Sequence, residues 1–85
     1  MATQISIQTA DVISNEIKRQ GLGIEGAALA ARVKPRTFRT HLQIGSLTLD
    51  EVVAVSKVLG MTPSEILRRA EHTPDDDALA KQAAA

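Results

Sequence analysis

Residues Gly21 to Phe38 read GLGIEGAALAARVKPRTF, and this stretch decides the fold. Four alanines, Ala27, Ala28, Ala30 and Ala31, are strong helix formers, and their small side chains let a neighbouring helix approach closely. Lys34 precedes a proline, which pushes it out of the helical region. Pro35 itself suits the first position of a new helix. The chain must therefore break at Arg32–Lys34 and restart at Pro35, with Val33 turned inward to pin the corner. Gly45 stops the restarted helix. The result is a tight helical hairpin.

Working outward, the rest reads as helix. A first helix is expected from about Thr9, which would cap it, to Gln20, with Val12, Ile13 and Ile17 inward and Gly21 and Gly23 at its end. Ile5 and Ile7 alternate with polar residues, so 1–8 is expected as an N-terminal arm, extended or a short strand. Thr48-Leu49-Asp50-Glu51 and Thr62-Pro63-Ser64-Glu65 are two capping boxes, which predict helices from 48 to about Leu59 and from 62 to about Glu71. The expected organisation is a helical domain over 9–72 and an acidic, alanine-rich tail over 73–85, all-α with five helices. Met61 reads as core filler.

The chain has 85 residues, no cysteine and a formal net charge of zero. That length makes one domain with a modest core. Disulfides and thiolate metal sites are excluded, and His41 and His72 stand too far apart for a zinc motif. Asp75–Asp77 lack the spacing and glycine of a calcium loop. No apolar run approaches the ~20 residues of a membrane helix, and MATQISIQTAD does not read as a secretory signal. No nucleophile setting is recognisable, and Gly21, Gly23 and Gly26 follow no strand, so the dinucleotide reading fails. No enzyme activity, cofactor, metal or small-molecule substrate is expected, and the cytoplasm is the expected location.

The zero total hides an uneven distribution. Residues 1–72 hold nine Lys/Arg against seven Asp/Glu, and 73–85 hold Lys81 against three aspartates. From Arg32 to Gln43 there are four basic residues, one histidine and no acid. With Phe38 as the sole aromatic, base stacking on single strands is disfavoured. At about 100° per residue, Phe38 and Leu42 face inward on the helix from Pro35 to Ile44. Arg36, Thr37, Thr40 and Gln43 then face outward, flanked by Arg39 and His41. Arginine, glutamine and threonine are suited to base edges in the major groove. Arg32, Lys34, Arg39 and His41 would hold phosphates. Such a face is often only a solvated one. The break before Pro35, the alanine-rich helix and the lack of any acid from Gly26 to Leu49 favour DNA.

From Leu22 to Leu67 the sequence resembles the helix-turn-helix family of phage Cro and lambda-type repressors. Ala27-Ala28 stand for the usual Leu-Ala pair, Val33 for the turn aliphatic and Phe38 for the buried position, and LTLDEVVAVSKVLGMTPSEIL resembles the fourth and fifth helices. The resemblance implies a five-helix lambda-repressor-like fold and a small transcriptional regulator of a phage or bacterium, acting on a double-stranded operator in the (host) cytosol. It matches Arg36, Thr37 and Thr40 to base-contacting positions, and Lys34 and Arg39 to positions near the backbone. A homodimer is expected by analogy, through Ile5 and Ile7 or the fifth helix. Three positions depart from the pattern. Arg32 replaces the turn glycine and needs a left-handed conformation. Gly23-Ile24 replace a phosphate-gripping Thr-Gln, and Gln43 replaces a glutamate. Two other readings stay open: a protein-binding module such as an antitoxin or adaptor, and the DNA-binding part of a longer repressor.

Overall fold

In the computed structural model, which describes residues 3–71, Thr3 rather than Thr9 opens the first helix. The Thr3 hydroxyl accepts from Ser6 N at 3.2 Å, and α1 runs Gln4–Arg19. Residues 4–8, expected as an arm, are therefore its first turns. Thr9 is buried instead, and its hydroxyl donates to Ile5 O at 2.7 Å, one turn back. The Ile5/Ile7 alternation is too short to make a strand without a partner, and no strand forms among the described residues. Read with a period of three to four, the inward stripe of Ile13 and Ile17 extends upstream to Ala10 and Thr9.

The other helices follow as α2 (Ile24–Ala30), α3 (Pro35–Ile44), α4 (Leu49–Val58) and α5 (63–71). Among the described residues the fold is thus all-α with five helices. The tail over 73–85 and His72 lie outside the described residues.

The first four helices all end the same way. The backbone N–H just after a left-handed residue reaches back to a carbonyl in the last turn: Leu22 to Ile17, Val33 to Ala28, Ser46 to His41, Met61 to Ser56, at 2.9–3.0 Å. The preceding N–H makes the shorter loop, as Arg32 does to Leu29 O at 3.1 Å. This is the Schellman closure, which requires a left-handed residue. Gly21, Gly45 and Gly60 supply it at three ends. At the fourth, between α2 and α3, the left-handed residue is Arg32, with φ 60°, as its position in the turn demands.

Both capping boxes mark true helix starts. At α4 the box is complete: Glu51 N donates to Thr48 Oγ1 at 3.1 Å and Thr48 N to Glu51 Oε1 at 2.8 Å. At α5 only half forms. Glu65 N donates to Thr62 Oγ1 at 3.1 Å, but the Glu65 carboxylate is taken by Arg69 at 3.1 Å.

Phe38, Ala27 and Ala28 are fully buried, with Ile13, Ile17, Val52, Val55, Leu59 and Ile66 around them, and Val33, Leu42 and Met61 packed against that core. The two alanines are what let α2 and α3 close on one another. Several polar residues not expected inside are buried, Glu16 among them. Glu16 lies on the inward side of α1 at 5% exposure, where it accepts from Arg19 Nε at 3.0 Å, Gln20 Nε2 at 3.1 Å and Arg69 Nη1 at 3.4 Å. The Arg19 hydrogen bonds, then Gln20, hold its carboxyl at about 2, against an opposing push from burial. Gln20 Nε2 also reaches Leu59 O at 2.8 Å, so this cluster ties α1 to both α4 and α5.

Candidate nucleic-acid interface

The candidate site is α3 with the turn that feeds it. Burial of Phe38 fixes how α3 is rolled, and the outward residues follow. Arg36, Thr37, Thr40 and Gln43 are all exposed, as are Arg32, Lys34 and Arg39. None of Arg32, Lys34, Arg36 and Arg39 takes part in an ion pair among the described residues, whereas Arg19 and Arg69 both hold Glu16. Four cations on one turn and the first half of one helix are left without an ion pair among the described residues.

The face has two sides. Arg36, Arg39 and Gln43 lie along one ridge at helical spacing. Arg39 and Gln43 line a cleft of about 410 Å³ with Leu42, Ser14 of α1 and Ile24 of α2. Arg36 and Arg39 line a second, of about 260 Å³, with Pro35 and Glu25 of α2. Sequence reasoning missed Glu25. On the other side, Thr40 Oγ1 donates to Arg36 O at 3.0 Å, so its hydrogen is already engaged and it presents its methyl and a lone pair.

His41, expected among the phosphate-side residues, is turned into the protein. It is half-buried, and its Nδ1 lies 2.7 and 3.0 Å from the two Glu51 oxygens. Any phosphate contact from it has to come from Nε2. Burial opposes ionisation of Glu51, but the hydrogen bonds from Thr48 and His41 outweigh it and hold the carboxyl below its ordinary value. The same carboxylate thus caps α4 and braces α3.

The far end of α3 is braced from α1. Ser6 Oγ lies 2.6 Å from Gly45 O and 2.9 Å from Thr3 O, its single proton shared between them. Gly45 is buried directly against Ile7. Residues read as a loose arm are therefore the support under the C-terminus of α3.

A seven-residue α2, a left-handed turn and a proline-started α3 rolled outward define a helix-turn-helix domain. No protein-family model matches the chain, and no curated protein does. Among solved structures the chain is similar to the clp gene regulator ClgR from Corynebacterium glutamicum, with a TM-score of 0.80 and 17% sequence identity, covering 99% of this chain and 90% of that one. At that identity the likeness is one of fold, and it extends over the whole helical assembly rather than the hairpin alone.

Proposed function

We propose that this chain is a sequence-specific double-stranded DNA-binding transcriptional regulator that reads the major groove with α3. The observation that carries this reading is the set of four exposed cations, Arg32, Lys34, Arg36 and Arg39, with no ion pair among the described residues, gathered at the turn and first half of a braced helix. In this reading Arg36 makes a bidentate contact to guanine, Gln43 one to adenine, and Thr40 offers its methyl to thymine. Thr37 adds a hydroxyl. Lys34, Arg32 and Arg39 take phosphates, which set register and orientation. The similarity of fold to a gene regulator supports this reading. A Cro-like phage repressor acting in the cytoplasm is the finer form of it, and a homodimer would place two α3 helices roughly 34 Å apart on a two-fold operator.

One feature favours a protein partner on the same fold. Ile5, Thr9, Leu47, Leu49, Val52 and Leu67 line a largely apolar groove of about 200 Å³, with Leu49 70% exposed at its rim.

The test is selection of duplexes from a random pool at two salt concentrations, with Arg36→Ala and Lys34→Ala alongside. One enriched motif is expected, broadened by Arg36→Ala. Lys34→Ala should weaken all sequences alike and lower the salt slope by roughly one. Weak, unselective binding, or none, transfers the assignment to a protein partner.

A further inference from the structure

Glu25 is the acid that the candidate interface does not explain. It is exposed on α2 and shares the 260 Å³ cleft with Arg36 and Arg39 across the turn. No ion pair within 4.0 Å joins it to either arginine. A carboxylate beside two DNA-facing guanidiniums lowers affinity for any polyanion, so a surface meant only to hold phosphate would be better without it.

We propose that Glu25 is a specificity-determining positioning residue of the DNA interface, acting through Arg36 and Arg39; this rests on the DNA-reading assignment above. The chemistry follows from the shape of guanidinium, which has five donors in a fixed fork. Two can face guanine while others face a carboxylate, so Glu25 orients Arg36 without competing for the base edge. On non-cognate DNA the arginines are drawn to the nearest phosphates instead. Glu25 must then be stripped of its solvent or sit against a phosphate of like charge. It is thus tolerated in the cognate complex and costly in the others, which widens the gap between them. Discrimination built on a penalty for the wrong partner is a general route to specificity.

The test measures Kd for the selected duplex and for a scrambled one, at two salt concentrations, for the native chain, Glu25→Gln, Arg36→Ala and the double variant. For Glu25→Gln the scrambled duplex should bind roughly three- to tenfold tighter, with a steeper salt slope. The selected duplex should change less than threefold, so the ratio of the two narrows. In the Arg36→Ala background the same substitution should narrow the ratio less than in the native chain, because one of the two arginines it acts through is gone. Equal tightening on both duplexes would make Glu25 a background charge and overturn the proposal; so would no change on either. If the native chain prefers no sequence, the DNA-reading assignment fails and this inference falls with it. Preference in the native chain without narrowing in Glu25→Gln sinks this inference alone. The Glu25 side chain is exposed with no hydrogen bond among the described residues, and a thermal melt of each variant establishes that it is folded.

Discussion

Replacing Gly45 with alanine should unlatch α3 from α1. Two costs add at this position. The backbone there has φ 70°, where an L side chain is strained by about 1–2 kcal/mol. Restricting the unfolded chain returns about 0.4–1 kcal/mol of that. The second cost is contact. A Cβ on residue 45 would lie 2.7 Å from Ile7 Cγ1 and 2.9 Å from Ile7 Cα. The side-chain atom can swing away, but the Cα moves only if α1 moves. Overpacking of this kind costs about 1–3 kcal/mol. The sum is about 1–5 kcal/mol and centres on ~3, a large share of the ~5–15 kcal/mol that holds a small domain together. The control is built into the chain. Gly60 has φ 71° and nothing within 4 Å of its would-be Cβ, so Gly60→Ala carries the backbone cost alone, about 1 kcal/mol. Thermal and urea unfolding followed by circular dichroism measures both. At roughly 4–8 °C per kcal/mol, Gly45→Ala should lose about 10–25 °C in Tm and Gly60→Ala about 3–8 °C. If the two fall within about 0.5 kcal/mol of each other, Ile7 does not sit on Gly45. The docking of the first turns of α1 would then be refuted. Ile7→Ala in the Gly45→Ala background should recover only part of the loss, because Ile7 Cα stays where it is.

Three further outcomes are expected. Arg32→Gly removes the one left-handed non-glycine residue among the described residues, so it should raise stability by a few tenths to about 1 kcal/mol, while DNA affinity falls and the salt slope drops by about one; a melt and a salt titration read the two opposite effects. Glu16 has a folded pKa depressed to about 2 from 4.5, so its contribution is fully present above about pH 4.5 and is lost as pH falls toward 2. Glu16→Gln should therefore cost about 1–3 kcal/mol near neutrality and flatten the stability–pH curve in that window, which urea unfolding across pH 2–7 would detect. Thr48→Ala breaks the complete capping box of α4 and should cost about 1 kcal/mol, more than Thr62→Ala, whose box is half-formed, in the same unfolding assay.

Local signals on this chain were legible and long-range ones were not. Pro35, Gly45, Thr48 and Thr62 each act on the backbone within four residues, and each marks a boundary where the sequence places it. The burial of Phe38 and the outward roll of Arg36, Thr37, Thr40 and Gln43 follow from helical spacing once α3 is granted. The start of α1 was missed because two threonines compete for the cap. What favours Thr3 is Gly45, which lies 39 residues from Ser6 and takes its hydroxyl. Glu16 has legible helpers in Arg19 and Gln20, one turn on, but its third, Arg69, is 53 residues away. His41 was placed on the correct edge of α3, yet its partner Glu51 sits on the next helix.

The charge of the interface shows the same division with more at stake. Counted along the chain, Gly26 to Leu49 is free of acid, and that window made the case for a DNA-facing surface. Glu25 lies one residue outside it. Because α2 and α3 are folded back on each other across Arg32–Lys34, the residue just before the window returns to the cleft of Arg36 and Arg39, near its middle. A count along the sequence weighs charges by their separation in residues; phosphates and bases meet them by their separation in space. Counted in space, the surface is a basic ridge with one carboxylate set into it. A purely basic ridge would hold any duplex through its phosphates alone. On the proposed DNA-reading assignment, Glu25 makes holding DNA and choosing among sequences separable properties of the same face, and a single neutral substitution can measure one against the other.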